Sequence, residues 1–439
     1  MKFAVLNTIR KLQNFYISHK IASLVLVFTF VTLLATSSLA LLNRYSNNYE
    51  KIDNSNDTSS LDNVKPNLDN EQPLSSEDST DIKSTNPPSS DSSTGPPSSD
   101  SSTGPKQEPA PSQPRPNEPT APPQTINYTI PSNSIIVNST SSFKAAVSSA
   151  SAGSTIVLRA GIYTDISLTI SKKLTIAAYP GESVWLDGQN KLQFALFLVT
   201  NAGGSKIQGI GFKKYASTKD FSQKPAMVII ASSLSSGVTV EYSTFQESES
   251  IGLSVQTNNS VVKNNVFDKN NWMGLHVNNG HGIIVQNNIM SNNNTGNNAI
   301  SGTTAAAAGA KFTYTRGATI TNNQFINNKA NGLWIDLQAE NIVISNNTAS
   351  GNLRNGIYYE VSTKGTITNN TVTGNSAYGI QLSGSNNTTV TGNSLSRNTA
   401  GNIFVQEDPR NVSNDPKCSS GKVYGADCDS YNNTVQSSP

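Results

Sequence analysis

The sequence predicts an all-β protein: a parallel β-helix of three-strand coils, about 23 residues each, preceded by an N-terminal transmembrane helix and a disordered linker. Three observations predict it. The composition is poor in both apolar and charged residues, charge and apolarity change abruptly along the chain, and asparagine recurs at a fixed period.

Hydrophobic residues make up 35% and charged residues 14% of the 439 positions. A helical protein would need Lys, Glu and Arg on its exposed faces. Ser, Thr, Asn and Gly fill those positions here. The net charge of +2 supplies no basic surface, so no nucleic-acid partner is expected. Two cysteines are too few for a disulfide scaffold or a four-ligand zinc site.

Residues 1–20 carry Lys2, Arg10, Lys11 and Lys20 and are expected to be cytoplasmic. Residues 21–42 are uncharged and mostly apolar. As a helix they would span about 33 Å, the thickness of a bilayer core. The positive-inside rule makes this a single-pass signal anchor in the cell membrane, with the rest of the chain outside. A signal peptide cleaved after Ser38-Leu39-Ala40 is the rival reading and exports the same chain.

Residues 43–125 form the linker. Pro, Ser, Thr and Asp dominate, as in the near-repeat SSDSSTGPPSSDSSTGP from Ser89 to Pro105. Such a segment cannot bury enough apolar surface to offset its ordering entropy. It is expected to be a disordered stalk, with a glycosylated stalk as the alternative.

Residues 126–439 form the folded domain. Gly282-Ile-Ile-Val-Gln-Asn-Asn, Gly317-Ala-Thr-Ile-Thr-Asn-Asn, Asn341-Ile-Val-Ile-Ser-Asn-Asn and Gly365-Thr-Ile-Thr-Asn-Asn are copies of one another. The second Asn of each pair recurs as Asn265, Asn288, Asn323, Asn347, Asn370 and Asn393, at spacings of 23, 35, 24, 23 and 23. That period leaves no room for a helix and fits coils stacked in parallel at about 4.8 Å. Asn tolerates a left-handed corner, and its copies can hydrogen-bond from coil to coil. These asparagines are read as structural. Ser142–Ala150 reads as a short amphipathic helix over the open first coil.

Gly153-Ser-Thr-Ile-Val-Leu, Gly161-Ile-Tyr-Thr, Leu174-Thr-Ile-Ala-Ala-Tyr-Pro-Gly and Trp185-Leu-Asp-Gly188 lead into the repeat. They resemble the entry segment of the pectate-lyase-like right-handed β-helix superfamily, and the Asn-rich repeats resemble its parallel β-helix repeat. The resemblance implies a right-handed coil. It leaves the reaction open, because that superfamily includes lyases, hydrolases, epimerases and inactive adhesins. Lys311–Arg316, Gly332–Asp336 and Gly356–Glu360 look like a subgroup of bacterial secreted β-helix proteins. The Asp-rich calcium cluster of pectate lyases is missing, as are the tandem-Asp motif of polygalacturonases and the Lys-Ser-Ser and Arg-His-Gly signatures of alginate and chondroitin lyases.

The register of the third strand locates a candidate site. Aligned on Gly252, Gly274, Gly309, Gly332, Gly356 and Gly379, the residues at +1 and +3 are apolar and point inward. Those at +2 and +4 point outward and gather His276, Lys311, Trp334, Tyr358, Asp336 and Glu360 over four turns. Asp336 and Glu360 would lie about 5 Å apart at the backbone, an arrangement suited to acid/base work or to a divalent cation such as calcium. Trp334 and Tyr358 would offer faces to a sugar ring. Lys311 is a candidate base, Arg316 and His276 candidate substrate contacts, and the Asn294–Ala308 insertion should overhang the ladder. A surface ion-pair cluster is the bland alternative.

Near the C-terminus, Cys418 and Cys428 are expected to form a local disulfide. The expected protein is thus a cell-surface, monomeric β-helix acting on an extracellular polysaccharide. In a glycoside hydrolase Asp336 and Glu360 would serve as the carboxylate pair. In a uronate lyase or epimerase Lys311 would be the base. The alternative is a non-catalytic adhesin using Trp334 and Tyr358.

Overall fold

The computed structural model describes residues 128–216, 225–231, 235–296, 307–408 and 428–436. The basic segment, the apolar span 21–42 and the linker 43–125 lie outside them. Among the described residues no helix is long and apolar enough to cross a membrane.

The described chain is a parallel β-solenoid. Its strands stack twelve deep in a first sheet and ten deep in each of a second and a third. One coil shows the path: Val343–Ser345 in the first sheet, Thr348–Ser350 in the second and Ile357–Glu360 in the third. Among the described residues every strand pairing is parallel, because each coil returns the chain to the same edge one rung later. Inward positions of all three sheets fill one continuous core. Phe212, Phe245 and Phe267 stack along it at 4.9 Å between ring centres, the repeat of the coils themselves.

Two asparagine ladders line the corners of the second sheet. In the expected one, Asn265, Asn288, Asn323, Asn347, Asn370 and Asn393 are buried, each side-chain N–H bonding the next side-chain oxygen at 2.9–3.0 Å. A second ladder follows five residues later as Asn270, Asn293, Asn328, Asn352, Asn375 and Asn398, with the same bonds at 2.9–3.0 Å. Each rung also bonds a backbone carbonyl, as Asn347 does with Ile320 at 2.9 Å. The residue before each rung takes the left-handed conformation, as Asn346 does at φ 57°. The corner therefore splits its work: the first residue turns the chain and the second satisfies the carbonyls and N–H groups the turn leaves unpaired.

A glycine file stands beside the second ladder. A Cβ on Gly332 would lie 2.6 Å from the Gly356 oxygen and 2.7 Å from the Asn352 side-chain nitrogen. Gly332→Ala is therefore expected to cost about 2–3 kcal/mol through overpacking. Gly374→Ala, with nothing within 4 Å but φ 66°, should cost about 1 kcal/mol through backbone strain alone. Thermal melts of the two variants check the order.

The cap helix α1 (Thr140–Ser149) closes the first coil, burying Phe143, Ala146 and Val147. Ser139 and Ser142 exchange reciprocal hydrogen bonds at its start.

Candidate functional site

The third sheet carries the candidate site, and its register matches the sequence alignment. Ser254, His276, Lys311, Trp334, Tyr358, Gln381 and Phe404 are successive Cα partners in one outward column. In the parallel column Asn278 pairs with Thr313 and Thr313 with Asp336, while Glu360 pairs with Ser383 and Ser383 with Gln406. The apolar partners, such as Leu333, Ile335, Ile357 and Tyr359, are fully buried in the core.

The expectation of an open, solvent-facing ladder fails. His276 is 1%, Asp336 4%, Lys311 8% and Trp334 9% exposed. Equivalent side chains on successive coils stand about 4.8 Å apart, so large ones cover one another. The Lys311 ammonium lies 3.8 Å from the centre of the Trp334 ring. The Tyr358 ring lies 5.3 Å from Trp334, tilted by 32°. Trp334 is thus occupied by its neighbours and is not an open platform for a sugar. It works as a clamp: its ring bears on Lys311, and its indole N–H donates to Glu360 Oε2 at 2.9 Å.

The two carboxylates are held differently. Asp336 Oδ2 makes an ion pair with Lys311 Nζ at 2.9 Å, and Oδ1 accepts the Leu337 N–H at 2.7 Å. Glu360 accepts from Trp334 on one oxygen and from the Tyr358 hydroxyl on the other, at 2.8 Å. Burial first, and then the negative charges of Glu360 and Asp408, hold the Tyr358 hydroxyl well above the usual phenol range, so it stays a donor. Lys311 is engaged by the Asp336 carboxylate and the Trp334 ring face, so its nitrogen is not open to a substrate proton. All four carboxylate oxygens of Asp336 and Glu360 receive N–H or O–H donors, and an ammonium stands at one of them. That donor set does not suit calcium, which needs six to eight oxygen ligands. Among the described residues no group of three or more His, Cys, Asp or Glu side chains is placed to hold a metal ion.

Arg316 stands apart from this ladder. It belongs to the corner after the third sheet, where it bridges to Glu340 and lies 3.9 Å from its carboxylate. Its backbone N–H donates to His281 Nδ1 at 3.2 Å. Desolvation and then the Arg316 charge hold the His281 imidazole below its ordinary range. The folded chain therefore binds this proton less readily than the unfolded chain. Stability is complete above the unfolded histidine pKa of about 6.5 and falls as pH drops below it. His281→Asn keeps an acceptor without a titrating group and is expected to flatten this acid slope in melts between about pH 8 and pH 5.

The Asn294–Ala308 insertion is narrower than its sequence suggests. Asn294 is buried and donates to the Lys329 carbonyl at 2.7 Å, and Ala308 already opens a third-sheet strand. The intervening residues 297–306, expected to overhang the ladder, lie outside the described residues.

Sequence reasoning missed Asp408. It is 1% exposed, accepts the Ser383 hydroxyl at 3.1 Å and donates its N–H to the Cys428 carbonyl at 3.2 Å. Its coil is opened by Asn402 instead of glycine, so the glycine alignment stops one coil short. Continuing the register gives Phe404 and Gln406 in the outward columns, and Asp408 follows two residues after that strand ends. Cys428 is disulfide-bonded and buried against Val361, whereas Cys418 lies outside the described residues.

This is a solenoid whose third sheet carries a buried ion pair beside a half-buried carboxylate. A right handed beta helix region model matches residues 161–308, 228–395 and 337–438. The chain belongs to that family. No curated protein sequence matches it. Among solved structures, it is similar to the Azotobacter vinelandii mannuronan C-5 epimerase AlgE4 A-module, at 18% identity and TM-score 0.49 over 64% of this chain and 80% of that one. An alginate lyase from Paenibacillus sp. str. FPU-7 is similar at 14% identity and TM-score 0.46, over 62% and 99%.

Proposed function

We propose that this chain is a carbohydrate-active enzyme acting on an extracellular glycan, and that the cluster around Glu360 is its active site. One observation carries the proposal: Glu360 is held on both oxygens by the fixed donors Trp334 and Tyr358, beside the buried Lys311–Asp336 pair. A carboxylate oriented in this way is a proton-transfer group, and two carboxylates on adjacent coils are the equipment of glycoside hydrolysis. Glu360 exchanges the proton with the glycosidic oxygen, Asp336 is the second carboxylate, and Lys311 sets the charge of Asp336. Tyr358 is the remaining candidate aromatic contact, and His276 adjoins Lys311 in the same column. The hydrolase reading is preferred to the lyase or epimerase reading because Lys311 is paired. Turnover of a polysaccharide panel by the full chain and its Glu360→Gln variant tests it.

The apolar span 21–42 supports display of this domain outside the membrane it anchors in. Extraction of the chain from membranes by salt alone would refute the anchor.

A further inference from the structure

The third sheet stays accessible beyond Glu360. Gln381 is the Cα partner of Tyr358, and Phe404 of Gln381, so the outward column runs two coils further. Gln381 and Glu360 stand about 8 Å apart at the backbone, from a strand spacing of about 4.8 Å and a rise of about 3.3 Å per residue. Tyr378, Gln381 and Phe404 are half-buried, unlike the Lys311–Asp336 pair behind them. The residue before each glycine of the file reaches the outward residue of the next coil. Asn355 does so with Gln381, and Tyr378 with Phe404.

The first contact fixes an amide. Asn355 Oδ1 accepts the Tyr378 backbone N–H at 3.0 Å, a bond that only the oxygen of that amide can take. Asn355 Nδ2 therefore donates to Gln381 Oε1, at 2.8 Å. Asn355 is buried and its own N–H donates to Asn331 Oδ1 at 3.1 Å, so the orientation is held from within the stack. Gln381 Nε2 is left with two N–H donors that no described residue accepts.

The second contact builds a flat apolar surface. The Tyr378 and Phe404 rings lie 4.5 Å apart and 12° from parallel. The stacked Phe212, Phe245 and Phe267 are fully buried and fill the core, whereas this pair lies on the outer face. Trp334 is capped by Lys311, but among the described residues no cation caps Tyr378 or Phe404. Rings with one oriented donor beside them suit a sugar, which has an apolar C–H face and a rim of hydroxyl oxygens.

Charge selects the kind of sugar. The strands Ile357–Glu360, Tyr378–Ser383 and Gly401–Gln406 carry no Lys, Arg or His. Glu360 is on this face, Asp408 and the exposed Glu407 follow it, and the Lys311 charge is already met by Asp336. Arg354 and Arg397 are exposed on the corners ahead of these strands. A uronate here would face carboxylates without a cation on the strands to meet it.

We propose that Gln381 and the Tyr378–Phe404 pair form a subsite for an uncharged sugar residue of the glycan, beside the residue held at Glu360. Gln381 Nε2 donates to a hydroxyl oxygen, and the ring pair carries the C–H face. This rests on the reading of the Glu360 cluster as the active site, which places the neighbouring sugar.

Cellohexaose, xylohexaose and mannohexaose, with a mannuronate hexamer as the acidic counterpart, are titrated by calorimetry into the full chain carrying Glu360→Gln, so that turnover does not consume the probe. At least one neutral hexamer is expected to bind, and more tightly than the mannuronate hexamer. Adding Gln381→Glu keeps the shape but replaces the donors with a negative acceptor, and should raise Kd about tenfold. Phe404→Ala should raise it by a similar factor, and Phe404→Tyr, which keeps the ring, should restore it. Gln381→Glu decides the matter even if Phe404→Ala fails to fold. Tighter binding of the mannuronate hexamer, an unchanged Kd in Gln381→Glu, or no binding of any hexamer would overturn the subsite. The Glu360 reading fails separately, if the native and Glu360→Gln chains turn over a glycan equally. A Kd that still rises in Gln381→Glu would then keep the subsite as part of a binding surface.

Discussion

Replacing Glu360 with glutamine is expected to lower turnover of the susceptible glycan by roughly 10³-fold, within the usual contribution of general acid–base groups. The substitution keeps the shape and removes the transferable proton. It also spoils one of two fixed hydrogen bonds. Trp334 and Tyr358 both donate to Glu360, and an amide offers only one oxygen, so its NH₂ must face one donor. The loss should therefore appear mainly in kcat, with the fold intact by circular dichroism. New reducing ends and ultraviolet absorbance from unsaturated uronate are followed together. Reducing ends without absorbance, lost in the variant, identify a hydrolase. Both signals identify a lyase. A variant as active as the native chain would remove Glu360 from the mechanism. Glycan retained on the protein with no turnover would favour an adhesin.

The largest structural effect is expected at Asn347, and its neighbour Asn346 provides the contrast. Asn347 is buried and stands in mid-ladder. Its side-chain nitrogen bonds Ile320 O and Asn370 Oδ1, and its oxygen accepts from the Asn323 backbone and side chain at 2.8 and 3.0 Å. Asn347→Ala leaves several buried polar groups unpaired, each costing about 1–3 kcal/mol. A total loss of about 3–5 kcal/mol is expected, at the upper end for single substitutions. Asn346→Gly should be close to neutral, because its φ of 57° is one glycine adopts freely. Denaturant melts showing equal losses for the two would refute the division of labour at this corner. The last coil already supports it: Gly392 at φ 65° stands where the other coils have the first asparagine.

Much of the solenoid was legible in the chain because its repeat is locally enforced. The Asn-Asn pairs mark the first ladder directly, since the turning residue and the ladder residue are the same type. The second ladder escaped notice because the turning residue varies: Lys269, Asn292, Asn327, Gly351, Gly374 and Arg397 all take positive φ before a buried asparagine. Only left-handed geometry is required there, and several residues can supply it. The outward column was also legible, because alternation along a strand dictates which side chains face out.

What alternation could not say is how those side chains meet. The periodic spacing by itself determined a parallel β-helix and placed Lys311, Trp334, Asp336, Tyr358 and Glu360 on one face. The tertiary structure alone decided that Lys311, Trp334 and Asp336 on this face are buried while Tyr358 and Glu360 stay half-buried, that Trp334 bears on Lys311 instead of a sugar, that Arg316 turns to Glu340, and that Asp408 joins from the final coil. Backbone period is a property of each coil's own residues. Side-chain partners across a 4.8 Å stack depend on rotamer, length and charge of residues roughly 23 or more positions away, and only the folded stack brings those together.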